Sequence, residues 1–194
     1  MPKTRVPALL LRIELADIEP VIWRHLLVPP GITLPHLHQA LQAALGWHDM
    51  HLHEFHIQGA TYGVPDTDGP PLNDEAGVTL AHALGTASTF SYVYDMGDEW
   101  EHQISVMPYL PSNPPAELPR CLDGANAGPP EDAGGPGGYS QFVEAMADPL
   151  HPEHEAMLDW HGQPFDASTW DIDRVNKRLK RLRHTWDRDD LNER

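Results

Sequence analysis

The amino-acid sequence predicts an α+β fold: a mixed or antiparallel sheet with a β-β-α-β start, packed helices and a helical C-terminal region. Three patterns support this prediction. Apolar residues alternate along one face from Leu9 to Leu15, as they do in a half-buried strand. Apolar residues recur at helical spacing from Leu34 to Leu45 and again from Val175 to Trp186, as they do on the buried side of a helix.

The first four elements follow from local signals. Residues 9–15 form one strand, and residues 21–28 form its partner. After a Pro-Pro-Gly turn, Thr33 is a good N-cap for a helix that Gly46 ends. Residues 52–58 then form the next strand, which completes the β-β-α-β start.

The rest of the chain contains a hairpin, two long loops and three helices. Residues 89–94 and 100–107 form the hairpin around the turn Asp-Met-Gly-Asp-Glu. Residues 63–76 and 108–136 are rich in proline and lack periodicity, so we expect loops there. The expected helices cover residues 139–147, 151–160 and 172–186.

We expect a single domain over residues 1–194, because this length is typical of one well-buried core. Within it, the β-rich core covers about residues 5–107, the loop rich in proline and glycine covers about 108–138, and the helical part covers about 139–190. The sequence shows no internal repeat that would divide the chain further.

Charge is distributed unevenly along the chain. The net charge is −16 at pH 7, and no lysine or arginine occurs from His25 to Pro119. Such an acidic body disfavours nucleic acid as a partner, because nucleic-acid affinity depends mostly on lysine and arginine. It favours divalent cations, or a basic protein or peptide, as partners.

Cysteine usage and the N-terminal segment indicate a cellular compartment. Cys121 is the only cysteine, which excludes an internal disulfide and a secreted scaffold stapled by disulfides. Arg12 and Glu14 interrupt the first apolar run, which is too short for a signal-peptide core or a membrane span. We therefore expect a soluble, cytoplasmic protein with no membrane partner.

The stretch His48–Ile57, with the sequence HDMHLHEFHI, holds four histidines and two carboxylates. If it is a strand, His51 and His53 share a face with Phe55 and Ile57, so both imidazoles point inward. Metal sites use two histidines at this spacing, although further ligands must come from elsewhere in the chain.

The hairpin that ends at His102 offers such ligands. Asp95 and Asp98 lie on either side of Gly97 in the turn, and His102 shares a strand face with core residues. These three residues are candidates for a metal site. Alternatively, His102 is a core histidine bonded to a carboxylate, and the two aspartates only shape the turn.

A third segment, rich in proline and glycine, contains the acidic pair Glu131 and Asp132. Pro129 and Pro130 limit the freedom of the chain before this pair, and glycines follow it. Together with inward histidines, the pair would form a site able to hold a divalent ion and activate water. The segment lacks the lysine and the serine or threonine of a P-loop, so no phosphate site is implied.

The last predicted helix combines an apolar stripe with many basic residues. The stripe consists of Val175, Leu179, Leu182 and Trp186. One interpretation is that the stripe packs on the acidic body. The other is that the helix contacts nucleic acid through Arg174, Lys177, Arg178 and Arg181.

Three of these stretches, in this order, resemble the plasmid pRiA4b ORF-3-like family. They are His51-Leu-His-Glu-Phe55, Tyr94-Asp-Met-Gly-Asp-Glu-Trp-Glu-His102 and Gly128-Pro-Pro-Glu-Asp-Ala-Gly-Gly135. The resemblance implies an association with plasmids and mobile elements, because the family includes passenger proteins of insertion elements that have been labelled resolvases. The label implies recombination, yet the acidic body has no cluster of arginines to support a nucleophilic serine.

We expect one functional concavity whose candidate metal ligands are His51, His53, Asp95, Asp98 and His102. Its walls and rim would be formed by Trp47, Tyr94, Trp100, Glu131 and Asp132. The first hypothesis is a binding or interaction module with a divalent metal ion that recognises a basic protein or peptide. The second is a metal-dependent hydrolase in which Glu131 or His102 moves protons. The third is an accessory protein in DNA transactions of mobile elements.

Overall fold

A computed structural model describes residues 8–66, 69–110 and 117–192, with side chains as far as Trp186. Its strands are β1 (Ala8–Leu15), β2 (Trp23–Val28), β3 (His53–Ile57), β4 (Ala60–Gly63), β5 (Asn73–Asp74), β6 (Thr89–Tyr94), β7 (Trp100–Tyr109) and β8 (Arg120–Ala125). Its helices are α1 (Leu34–Leu45), α2 (Leu80–Leu84), α3 (Gly135–Ala147), α4 (His154–His161) and α5 (Ile172–Asn192).

The strands of the described residues form one sheet in the order β5-β4-β3-β6-β7-β1-β2-β8. All neighbours are antiparallel except β4 and β5, which run parallel, so the sheet is mixed. The chain starts β1-β2-α1-β3 and ends in helices. The predicted α+β class and β-β-α-β start are therefore confirmed.

Helix α1 forms where its caps and apolar spacing predict it. The Thr33 side chain accepts a hydrogen bond from the His36 amide at 3.4 Å. Gly46 ends the helix in the left-handed region, with φ of 106°, and its amide donates to the Gln42 carbonyl at 3.0 Å. The whole apolar side of the helix is buried in the core together with the inner face of the sheet.

Helix α5 packs against α1 and β8 through the predicted stripe. Val175, Leu179 and Trp186 are buried and Leu182 is partly buried against the same core. The Trp186 ring stacks on His36 with 4.3 Å between ring centroids. The interpretation that this stripe packs on the acidic body is confirmed.

Buried Arg24 ties β2 to the segments that surround the sheet. Its guanidinium donates to the backbone carbonyls of Trp23, Ala44, Ala125 and Asn126 and lies 4.1 Å above the centre of the Trp170 ring. Burial lowers its pKa to about 10. Because this cation binds four backbone carbonyls and packs its face on Trp170, its role is structural.

The structure differs from the prediction at four short elements. The expected loops contain β5 and β8, and β4 and α2 were not predicted. The strand β4 follows a tight turn at Gln58 and Gly59, both with positive φ, and has only one fully buried residue. The strand β8 buries only Cys121, so neither strand shows a clear alternation of apolar and polar residues.

Candidate functional site

Three segments that are far apart in sequence meet at His51. Its Nε2 atom lies 3.0 Å from Asp132 Oδ1 and 3.5 Å from Asp95 Oδ2. One potential ligand atom from each of the three residues lies within 4.8 Å of the other two. We call His51, Asp95 and Asp132 the candidate cation site.

The imidazole nitrogen at the centre of the candidate cation site is buried, but it is not hydrogen-bonded. Neither carboxylate contact of His51 Nε2 has hydrogen-bond geometry, and within the described part of the chain this atom has no hydrogen-bond partner. A buried polar atom without a partner is costly unless something else satisfies it. An imidazole nitrogen and two carboxylate oxygens that converge without a hydrogen bond between them are a set of donor atoms that could hold a metal ion.

The segment that carries His51 is held by side chains from three different elements. The amide of His48 donates to Glu131 Oε1 at 2.8 Å, the amide of Asp49 donates to Gln42 Oε1 at 2.8 Å, and the amide of Met50 donates to Tyr94 Oη at 3.0 Å. Three consecutive backbone donors are thus fixed just before His51. The position of His51 is set in advance by the fold.

The phenol of Tyr94 links this segment to the acidic loop. Its hydroxyl accepts from Met50 and donates to Glu131, with 3.1 Å to Oε2 and 3.2 Å to Oε1. Burial, and then the neighbouring Glu131 carboxylate, raise the pKa of Tyr94 well above its usual value. The phenol therefore keeps its proton and donates a hydrogen bond to the carboxylate of Glu131, the residue before Asp132.

Asp95 contacts both the turn and His51. Its Oδ1 accepts hydrogen bonds from the amides of Gly97 at 2.9 Å and Asp98 at 3.3 Å, while its Oδ2 faces His51. Its amide donates to the Leu52 carbonyl at 2.9 Å. One carboxylate oxygen of Asp95 therefore shapes the turn, as one interpretation of the sequence predicted. The other oxygen is free to bind a ligand.

Asp98 does not reach His51. Its Oδ2 accepts from the amide of Gly134 at 3.0 Å and so connects the β6–β7 turn to the loop that carries Asp132. Gly135 has φ of +67°, and an added Cβ there would lie 2.6 Å from the Asp98 carbonyl oxygen. The two segments approach so closely that only glycine fits at this position.

His53 belongs to a second group, with His38 and Asp49. The rings of His53 and His38 are stacked with centroids 3.6 Å apart and planes 9° apart. His53 Nε2 is 3.0 Å from Glu75 Oε2. Because lone pairs of an imidazole lie in the ring plane, two parallel stacked rings direct them side by side, which is poor geometry for a shared ion.

A closed cycle of four hydrogen bonds holds His38 and Asp49, the other two members of this group. The Asp49 amide donates to Gln42 Oε1, Gln42 Nε2 donates to Tyr92 Oη at 3.2 Å, Tyr92 donates to His38 Nδ1 at 2.8 Å, and His38 Nε2 donates to Asp49 Oδ1 at 2.9 Å. Because Gln42 Oε1 accepts from the Asp49 amide, Gln42 Nε2 must be the group that donates to Tyr92. The Tyr92 hydroxyl then donates to His38 Nδ1, and His38 Nε2 carries the proton that it donates to Asp49. Burial lowers the pKa of His38, in agreement with its neutral form in this cycle.

His102 lies in the core and does not belong to the group that meets at His51. The side chain is fully buried, its Nδ1 is 3.0 Å from the Tyr92 carbonyl, and within the described residues its Nε2 has no hydrogen-bond partner. Burial lowers its pKa to about 4. Trp47 packs edge-on against it, and Trp100 lies near the same indole. Trp47, Tyr94 and Trp100 are almost fully buried, and of the three only Trp47 lines the cavity described below.

The structure thus joins His51, Asp95 and Asp132, with Glu131 and Tyr94 next to them, and places His53, Asp98 and His102 elsewhere. Sequence reasoning missed the supporting residues His38, Gln42, Asp49 and Glu75. A signal for the first two was present, because His38 and Gln42 are polar residues one turn apart on a helix whose other buried positions are apolar.

A cavity of about 570 Å³ lies between the end of α1, the loop that includes Glu131 and the start of α5, and Trp47 and His48 are among the residues that line it. Arg174 and Arg178 line it together with Glu131. Among the basic residues proposed for nucleic acid, Arg178 donates to the Trp47 carbonyl, whereas Arg174, Lys177 and Arg181 are exposed. Part of the basic character of α5 therefore serves the attachment of this helix to the body.

None of the described helices is both long and apolar enough to cross a bilayer.

Three comparisons relate the chain to other proteins. A model of the family described as "Plasmid pRiA4b ORF-3-like protein" matches residues 7–175. "Uncharacterized protein y4hQ" from Sinorhizobium fredii is 39% identical over 184 residues, covering 92% of this chain and 93% of that protein. The crystal structure of a protein of unknown function, MM3350 from Methanosarcina mazei Go1, matches with a TM-score of 0.75 and 32% identity, covering 88% of this chain and 98% of that one. The resemblance predicted from the motifs is therefore confirmed, and the chain belongs to the plasmid pRiA4b ORF-3-like family.

Proposed function

We propose that this protein is a binding module for a divalent metal ion, held by His51 Nε2, Asp95 Oδ2 and Asp132 Oδ1. One observation carries the proposal: the buried His51 nitrogen lies 3.0 and 3.5 Å from two carboxylate oxygens without forming a hydrogen bond to either. A cation between these atoms would satisfy all three at once. The fixed backbone of residues 48–50 supports the proposal, because it sets the imidazole position without help from an ion.

The donor set indicates the type of ion. One imidazole and two carboxylates suit Zn²⁺, Mn²⁺ or Co²⁺ better than Ca²⁺, which takes six to eight oxygen ligands, or Cu⁺, which prefers sulfur. The three residues supply fewer ligands than these ions use. Water or a ligand would complete the coordination, and the 63% exposure of the Asp132 side chain leaves room for it.

A metal-dependent hydrolase is the second candidate, and the position of Glu131 favours it. Catalytic zinc sites commonly have three protein ligands and an open position, and an ion there lowers the pKa of a bound water. Glu131 is adjacent to the ligand Asp132, and its carboxylate is oriented by Tyr94 and His48. Glu131 is therefore a better proton acceptor for such chemistry than His102, which is fully buried.

Calorimetric titration of the EDTA-treated protein with Zn²⁺ and with Mn²⁺ tests the metal proposal. We expect one ion per chain, with an affinity that falls at least about tenfold in His51→Ala and in Asp132→Asn. His56→Ala is the matched control, because His56 is an exposed histidine of β3, five residues after His51, and its Nε2 lies 3.1 Å from Glu54 Oε2. Equal affinity in wild type and His51→Ala, or an equal loss in His56→Ala, would contradict the proposal.

Hydrolase assays on the metal-loaded protein separate the two candidates. Nuclease, phosphatase and peptidase substrates are offered to wild type, Asp95→Asn and Glu131→Gln. Turnover that disappears in Glu131→Gln while the metal affinity persists would establish the enzyme. Absence of turnover with an occupied site would favour the binding module.

A further inference from the structure

Three large apolar side chains are exposed on the same two segments that carry His51 and Asp95. Met50 is 66% exposed, Leu52 is 62% exposed and Met96 is 40% exposed. The Asp95 amide bonds to the Leu52 carbonyl and the Met50 amide bonds to the Tyr94 hydroxyl, so the two segments are direct neighbours. We call these three residues the apolar patch.

The surroundings of the apolar patch are acidic. The side chain of Asp49 is 61% exposed and that of Asp132 is 63% exposed, and Glu99 is exposed as well. No lysine or arginine occurs anywhere between residues 25 and 119, so the segments that carry the patch contain no compensating positive charge. The combination disfavours nucleic acids and anionic lipid surfaces, both of which need a basic binding face.

We infer that the apolar patch docks a basic, amphipathic peptide segment of another protein. Charge complementarity selects the occupant, because lysine or arginine side chains of such a segment can face Asp49, Asp132 and Glu99 while its apolar side chains cover the patch. Two of the three patch residues are methionines, whose flexible side chains adapt to different partners. The patch is small and flanked by exposed charges, so we expect a micromolar, readily reversible complex whose affinity decreases with salt.

The inference does not depend on a bound ion, since it is based on the exposed side chains and their charges. Peptide binding is therefore measured in EDTA by fluorescence anisotropy. The probe is a labelled helical peptide with lysines on one face and leucines on the opposite face. We expect Met50→Ser and Leu52→Ser to weaken binding about tenfold each, and Asp132→Asn to weaken it less and to reduce its salt dependence. Leu150→Ser is the matched control, because Leu150 is 91% exposed in the α3–α4 connection.

Three results would overturn the inference. The first is equal binding of a peptide in which serine replaces every leucine, because this would show charge attraction alone. The second is unchanged affinity in both patch variants. The third is a wild-type dimer in sedimentation that becomes monomeric in Leu52→Ser, because a second copy would then cover the patch. Metal titration of the same variants distinguishes a failure of the peptide inference from a failure of the metal proposal. Leu52→Ser leaves all three proposed ion ligands in place, so its metal affinity should be unchanged whether or not it binds the peptide.

Discussion

The side-chain amide of Asn176 pairs with the backbone of Cys121 as a neighbouring strand would. Its Oδ1 accepts from the Cys121 amide at 2.9 Å, and its Nδ2 donates to the Cys121 carbonyl at 3.0 Å. Cys121 lies in β8, at the edge of the sheet. Helix α5 thus satisfies part of an edge that would otherwise offer free backbone groups to other chains.

Removal of this amide should destabilise the protein. In Asn176→Ala both backbone groups of Cys121 lose their partner, so we expect the free energy of unfolding to fall by about 1–3 kcal/mol. Urea denaturation measures the change, and Lys177→Ala, at the exposed neighbouring position, is the control. An equal effect in the two variants would show that the pairing contributes nothing specific.

The hydrogen-bond cycle of Asp49, Gln42, Tyr92 and His38 should influence the candidate cation site from a distance. Tyr92→Phe removes the hydroxyl, leaving His38 Nδ1 and Gln42 Nε2 without this partner. We expect a loss of about 2 kcal/mol in stability and about tenfold in metal affinity, because Asp49 precedes His51 by two residues. Unfolding and metal titration of Tyr92→Phe are compared with Tyr62→Phe, a half-buried tyrosine on β4. A normal metal affinity in folded Tyr92→Phe would limit the cycle to a structural role.

Burial of His102 should make the protein less stable in acid. Its folded pKa is about 4, against 6.5 as the usual value, so the unfolded chain binds the proton more readily than the folded chain. The contribution of neutral His102 to the free energy of unfolding is therefore fully present above pH 6.5. It is lost as the pH falls towards 4, and the total loss is about 3 kcal/mol. His38, whose pKa is also lowered, acts in the same direction.

Denaturation curves between pH 4 and 7 test this, with His102→Leu for comparison. The variant should lose less stability between pH 6.5 and 4 than wild type does, whatever its stability at neutral pH. Identical pH slopes for the two proteins would mean that His102 does not remain neutral in the folded state.

The close approach of Gly135 to Asp98 should be essential for the loop that presents Asp132. Gly135→Ala places a Cβ 2.6 Å from the Asp98 carbonyl oxygen at a positive φ, so we expect a loss of at least about 2 kcal/mol and weaker metal binding. Gly137→Ala is the control, since a Cβ there meets nothing within 4 Å and alanine favours the helix. A Gly135→Ala protein as stable as wild type would contradict this prediction.

Elements with several apolar residues at regular spacing were predictable from the sequence, as β1, α1, β6 and α5 show. The short β4, β5 and α2 were not, because they have too few buried residues to produce a period. At the site, alternation along the strand predicted correctly that His51 and His53 are more buried than their neighbours. It could not predict that His53 stacks on His38, since long-range packing alone decides which partner each imidazole meets.

The anchoring of residues 48–50 has a consequence for attempts to isolate the HDMHLHEFHI segment. Each of its first three amides after Trp47 is held by a side chain from α1, from β6 or from the loop at Glu131. A synthetic peptide with this sequence, or a graft of it into another strand, would lack all three tethers. Its histidines would sample many orientations, so such a transplant would lack the fixed imidazole position that the fold gives His51.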